Sequence, residues 1–170
     1  MKRGLTLVLF LMIRFFTTAQ QPAATIPDFI FFKFNENSFT NKDIAQGRLI
    51  FFVFFDVTCE HCQHAIKEMN EHYKEYTKAA IYLVTVDVKA RVNPFLDTYA
   101  ANLKNNKNVT LLQDLKNEFI LKFKPRKYPS MFLYSKEKKL LLYDDNEQNL
   151  SAFLQKIKAY NYYRIMQLKR

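Results

Sequence analysis

The chain of 170 residues has no tryptophan, two glycines, five prolines, two cysteines and three histidines. So little glycine and proline excludes a loop-rich or low-complexity chain, and no stretch repeats another. Two cysteines close at most one small loop, which excludes a disulfide scaffold. Acid is in deficit: 26 Lys and Arg face 16 Asp and Glu, for a formal charge of +10. Placement matters more than size. Lys2, Arg3 and Arg14 lie at the start, and the last twenty residues add +5 with no acid, so residues 20–150 carry only +2. A body that close to neutral offers no basic face for nucleic acid, and no nucleic-acid partner is expected.

What is abundant is aromatic. Seventeen Phe and ten Tyr, in a chain that is 49% hydrophobic, imply a core filled by rings. The length suits one domain. Lys2 and Arg3, the apolar run Leu5 to Ile13 and the small residues Thr17-Thr18-Ala19 predict a signal peptide over residues 1–19. Nine apolar residues are too few to cross a hydrocarbon core of ~30 Å, and Arg14 interrupts the run. No cysteine lies near the cleavage point, so lipid attachment there is not expected. The mature chain would start near Gln20, outside the cytoplasm, where thiols can be oxidised.

A short polar lead (20–25) precedes Ile26-Pro27-Asp28 and an extended FIFFKF segment. Asn35 to Asn41 is turn-rich, and Asp43 to Gly47 closes on a glycine. Leu49 to Phe55 is apolar throughout, the pattern of a strand covered on both faces. Ala65, Ile66, Met69, Tyr73 and Tyr76 then recur at helical spacing. Ile81 to Val88 reads as a second buried strand, and Asn93-Pro94 predicts a helix start with proline in its first turn. Val109 to Gln113 reads as a strand, Lys116 to Phe123 as a short helix, and KYPSMFLY and LLLY as two adjacent strands. Leu150, Phe153, Leu154 and Ile157 form one face of a last helix. Alternating strands and helices, closed by two strands and a helix, predict an α/β sandwich with a mixed sheet. One domain is expected over 26–160, followed by a basic tail over 161–170. That tail is read as solvated, not as a membrane contact.

Both cysteines lie in DVTCEHC, directly after the first buried strand. The thiolate is the nucleophile of disulfide exchange, and a free thiol near pKa ~8.5 is mostly protonated at neutral pH. A helix N-terminus favours negative charge. Cys59 stands last in the strand-to-helix turn, and Cys62, one turn on, would face inward. The spacing can bring the two sulfurs within bonding distance.

Here the chain resembles the thioredoxin superfamily, in its exported TlpA/ResA-like branch. The likeness is carried by Ile26-Pro27-Asp28-Phe29, by the strand followed by Cys59-Glu60-His61-Cys62, by Val84-Thr85-Val86-Asp87, and by Tyr128-Pro129-Ser130-Met131-Phe132-Leu133. It spans about residues 26 to 158. The resemblance implies a three-layer α/β/α sandwich with the CxxC at a strand-to-helix junction, and thiol–disulfide exchange as the activity. Cys59 would attack, Cys62 resolve, His61 tune the thiolate, and Pro129 act as the cis-proline that holds client backbone. Thr58, Glu60 and Tyr128 would line the client groove. Implied partners are client proteins with thiols or disulfides and a membrane-linked thiol reductant or oxidant. No cofactor is expected, because the dithiol itself carries two electrons.

Several positions depart from the pattern. Thr58 replaces the usual tryptophan, Val53 a buried acid, Ala65 a glutamate and Lys67 a proline. Glu60 and Asp56 are the remaining candidates to take the proton of Cys62. An imidazolium at His61 would raise the reduction potential while Glu60 lowers it, and the expectation is a couple less reducing than the roughly −270 mV of thioredoxin. Three rival readings stand against this one. A metal site is disfavoured, because His61 and His72 are about 16 Å apart along a helix and no second C-x-x-C exists. His64 and His72 are read as a solvated helix face. A peroxidatic role would want a proline and threonine upstream of a lone cysteine. The third rival is a redox-inert binding or structural module with a structural Cys59–Cys62 bridge.

Overall fold

The computed structural model describes residues 20–168, with side chains through Tyr160, so the expected signal peptide lies outside it. Seven strands form one sheet: β1 (Ile30–Lys33), β2 (Ser38–Thr40), β3 (Leu49–Phe54), β4 (Ala79–Thr85), β5 (Val109–Gln113), β6 (Ser130–Tyr134) and β7 (Leu140–Asp144), in the order β2-β1-β5-β4-β3-β6-β7. The β3, β4 and β5 strands run parallel, and the outer pairs are antiparallel. Every residue of β3 and β4 is buried, which explains their unbroken apolar runs. Three helices pack on one face: α1 (Glu60–Glu71), α2 (Lys89–Tyr99) and α3 (Leu150–Leu168). The other face is covered by a five-residue π-helical turn, Phe119–Phe123, and by the segment from Ile26 to Ile44. This is the thioredoxin-like α/β/α sandwich. Among the described residues no helix is long and apolar enough to cross a membrane.

The polar lead is stitched down, since Ala23 donates to the Phe123 carbonyl (3.0 Å) and Leu140 to that of Ala24 (2.8 Å). At the other end, α3 runs past residue 160 to Leu168. Several elements differ from their sequence pattern: β2 lies inside the stretch read as turn-rich, and β4 runs from Ala79 to Thr85, not from Ile81 to Val88. The α2 helix begins four residues before Asn93, after extended Val88 (φ −78°, ψ 152°), so Pro94 is interior. Pro94 is exposed, and the helix gives up one backbone bond there. The expected helix Lys116–Phe123 shrinks to its last five residues, because Asn117 (φ +54°) and Lys124 (φ +58°) bound it in left-handed conformations. Asp114, buried, takes up the freed amides of Lys116, Glu118 and Phe119 at 2.7–3.2 Å.

Topology places the candidate site. Since β3, β4 and β5 are parallel, the turns after them gather at one end of the sheet, the usual location of ligand sites in open α/β sheets. The antiparallel β6 begins at that same end, where Ser130 pairs with Phe54. Pro129 therefore lies beside the residues that lead into Cys59.

Candidate active site

Cys59 is the N-cap of α1, with extended backbone (φ −79°, ψ 114°), and its carbonyl accepts the amides of Cys62 (3.0 Å) and Gln63 (3.1 Å). N-caps are usually Ser, Thr, Asp or Asn, whose oxygens bond the first-turn amides. Cys59 makes no such side-chain bond. Its sulfur instead stands at the positive end of a twelve-residue helix, where negative charge is favoured. Cys59 is partly exposed and Cys62 wholly buried, and both are free thiols. Burial pushes the Cys62 thiol far up from its ordinary value. The backbone amide of Asp56 donates to the Cys62 sulfur and opposes that shift, while a side-chain bond with Cys59 and the charge of Asp56 add to it.

The turn before Cys59 is held by two carboxylates. Asp56 accepts the Thr58 amide (2.7 Å) and the Thr58 hydroxyl (2.5 Å), both on Oδ1. Thr58 is therefore folded back on its own turn, where a tryptophan would have spread over the surface. Asp87, 5% exposed at the end of β4, accepts the Val57 amide (3.0 Å) and the Thr85 hydroxyl (3.2 Å) and pairs with Arg91 (2.8 Å). In the sequence Asp87 carries no predicted role; its one signal there is a lone acid following an apolar strand.

Pro129 is buried and its bond to Tyr128 is cis. Ser130 Oγ donates to the Lys127 carbonyl (2.7 Å) and meets the Tyr143 hydroxyl (3.1 Å). Tyr143 also accepts the Arg126 amide and donates to Asp145. Tyr128, half-buried, lays its ring 4.7 Å from that of Phe54 and lines a cavity of ≈160 Å³ with Phe54, Ile120, Pro125, Arg126 and Lys127. Burial, with the charges of Asp56 and Asp87, pushes its phenol up to about 12. Tyr128 thus both covers the core and rims a cleft.

The remaining expected residues separate. Thr58 and Glu60 are exposed beside Cys59. His61 is exposed, but its Nδ1 lies 2.8 Å from Glu147 Oε1, 86 positions away in sequence. His64 is exposed on α1, and His72 pairs with Glu75 (2.9 Å), which also pairs with Lys158. Among the described residues no three His, Cys, Asp or Glu side chains gather as a metal site. Val53, which stands in place of a buried acid, is fully buried and paired with Leu83 and Met131. Of the two replacement carboxylates, Asp56 is the one whose charge bears on Cys62.

The sequence model of the AhpC/TSA family matches residues 22–143. The chain belongs to this family. Its fold is thioredoxin-like, and the family together with the paired cysteines supports oxidoreductase activity. Comparison of the sequence with curated proteins finds no match. Solved structures share the fold. A Chlorobium tepidum protein assigned as the thiol:disulfide interchange protein DsbE is 20% identical with a TM-score of 0.67, over 83% of this chain and 98% of that one. A secreted Mycobacterium tuberculosis disulfide oxidoreductase homologous to Escherichia coli DsbE is 16% identical (TM-score 0.60), over 75% and 94% of the two chains. The peroxidoxin BcpB of M. tuberculosis is 12% identical (TM-score 0.65), over 83% and 98%.

Proposed function

We propose that this chain is an exported thiol–disulfide oxidoreductase of a bacterial envelope that exchanges disulfides with client proteins through Cys59 and Cys62. The observation that carries this reading is the contrast between the two sulfurs, one reachable at a helix N-terminus and the other buried one turn beneath it. To reduce a client, the Cys59 thiolate attacks the client disulfide, forming a mixed disulfide and releasing one client thiolate. Cys62 then loses its proton and attacks Cys59, releasing the second client thiolate and closing the Cys59–Cys62 bridge. Two electrons pass to the client, and the reverse sequence oxidises it. A membrane-linked thiol reductant or oxidant resets the pair.

In this scheme Asp56 takes the Cys62 proton. Its charge bears on the Cys62 thiol, and both Thr58 bonds fall on Oδ1, leaving Oδ2 outside them. Buried Pro129 sets the path of the segment, so that Tyr128, with Thr58 and Glu60, is the surface a client meets. An extended client strand fits the end of a sheet. Export is supported by the signal-like pattern of residues 1–19 and by similarity to a protein described as secreted.

Cys62→Ser tests the reading. It should accumulate mixed disulfides with envelope proteins through Cys59, released by reductant; none accumulating would leave the inert-module alternative. Peroxide reduction is a second reading, favoured by the family and by the likeness to a peroxidoxin. The chain has no proline upstream of Cys59 within the turn, and its second cysteine lies one helical turn away. Peroxide consumption by the reduced protein, faster than its exchange with a disulfide, would favour that reading.

A further inference from the structure

We infer that Glu147 is a positioning residue: it holds the His61 ring by Nδ1 and draws that side chain's charge away from Cys59. The inference rests on the exchange reading and deepens it, by naming what sets the balance between oxidised and reduced cysteines. His61 is the second residue of α1, two positions after Cys59. A histidine so placed, once protonated, lends positive charge to a thiolate at the N-cap. Here its ring meets a carboxylate at 2.8 Å.

The two partners differ in freedom. The His61 side chain is 66% exposed, whereas that of Glu147 is 16% exposed. The carboxylate is the anchor, and the ring comes to it. Glu147 opens a short turn, Glu147–Asn149, between β7 and α3. That turn is braced at both ends. Asn146 accepts the Gln148 amide (3.1 Å), its own amide donates to Asp144 (2.9 Å), and Asn149 donates to Asp144 (2.9 Å). The charged groups that face Glu147 are His61 and His64, one turn apart on α1. Burial pushes the Glu147 carboxyl up, but the His61 bond, its own backbone amide and the charges of both histidines outweigh this and hold it below the ordinary range. Glu147 is thus a charged partner across the pH range in which imidazole titrates.

Two opposed effects follow from one contact. The carboxylate steadies the ring beside the active site, and its charge offsets the imidazolium that would otherwise stabilise the Cys59 thiolate. Since a stabilised thiolate favours the reduced pair, Glu147 makes the couple less oxidising than a free histidine in that position would.

The test is a double-mutant cycle read by redox equilibrium. Wild type, Glu147→Gln, His61→Gln and the double variant are equilibrated with glutathione at several pH values from about 6 to 8, where thiolate is present to exchange. Glu147→Gln should move the equilibrium towards reduced Cys59 and Cys62 by about two- to fivefold, the worth of an exposed charge contact. In the His61→Gln background the same change should have no effect. An unmoved equilibrium in Glu147→Gln, even with a lower melting temperature, means that the contact only docks the turn before α3 and overturns the inference. A full shift that persists without His61 also overturns it, because Glu147 would then act on Cys59 directly. Failure of all four proteins to exchange with glutathione would sink the exchange reading and this inference together. Failure confined to the cycle leaves the exchange reading intact.

Discussion

The two faces of the sheet are built from different materials. On the face covered by α1, α2 and α3, five of the twenty-one core residues are aromatic. On the opposite face ten of sixteen are, including Phe29, Phe31, Phe52, Phe119, Phe123 and Phe132. Phe119 and Phe123 stack in parallel at 4.3 Å, and Phe54 lies 4.5 Å from Phe119. The difference follows from what covers each face. Three amphipathic helices bring many side chains of medium size, so Leu, Ile, Val and Met suffice. A five-residue turn and the segment from Ile26 to Ile44 bring few, and each must bury a large area. The abundance of Phe is therefore mostly a property of the thinly covered face. The division extends to function, because the reactive pair belongs to the helical face while the aromatic face supplies the floor beneath Tyr128.

That contrast can be broken or sharpened by substitution. The largest effect falls on chemistry: Cys59→Ser should abolish disulfide exchange, assayed with glutathione or a model disulfide, while leaving the urea midpoint nearly unchanged. Phe119→Ala should do the reverse, costing about 3–5 kcal/mol of stability in urea unfolding while the folded protein keeps its Cys59 alkylation rate. A matched loss of reactivity would mean that the two faces are not separable. Asp56→Asn should slow the resolving step by about a hundredfold, followed by stopped-flow release of a chromogenic thiol, with little change in the attack step. Smallest is Tyr143→Phe, which removes the hydroxyl that bridges Arg126, Ser130 and Asp145. Its cost should be about 1 kcal/mol, with a modest loss of client affinity as the segment before Pro129 loosens.

The strands that bury both faces were legible because burial leaves a continuous apolar signature. LIFFVF falls at β3, and the run read from Ile81 begins inside β4, which starts two residues earlier at Ala79. The reactive pair and Pro129 were legible because their spacing is local or set by short connections. What stayed hidden depends on contacts between distant segments. Nothing around His61 points to Glu147, 86 residues on, since the two meet only where the turn Glu147–Asn149 packs against α1. Asp87 reads as the end of a strand until its carboxylate is seen beneath the Val57 amide. The helix expected over Lys116–Phe123 was overestimated for a related reason. Its apolar spacing was real, but a buried aspartate at 114 had already claimed the amides of its first turn. Pro94 misled in the other direction, because its exposed position on α2 can tolerate one missing bond.

The division of labour between the two sulfurs is tested most directly by reducing the wild-type protein and adding limited glutathione disulfide. Acid-quenched time points are then mapped by mass spectrometry. Glutathione should appear first on Cys59 alone, then leave as the Cys59–Cys62 bridge closes. First attachment at Cys62, or no reaction while the fold is intact, would contradict it.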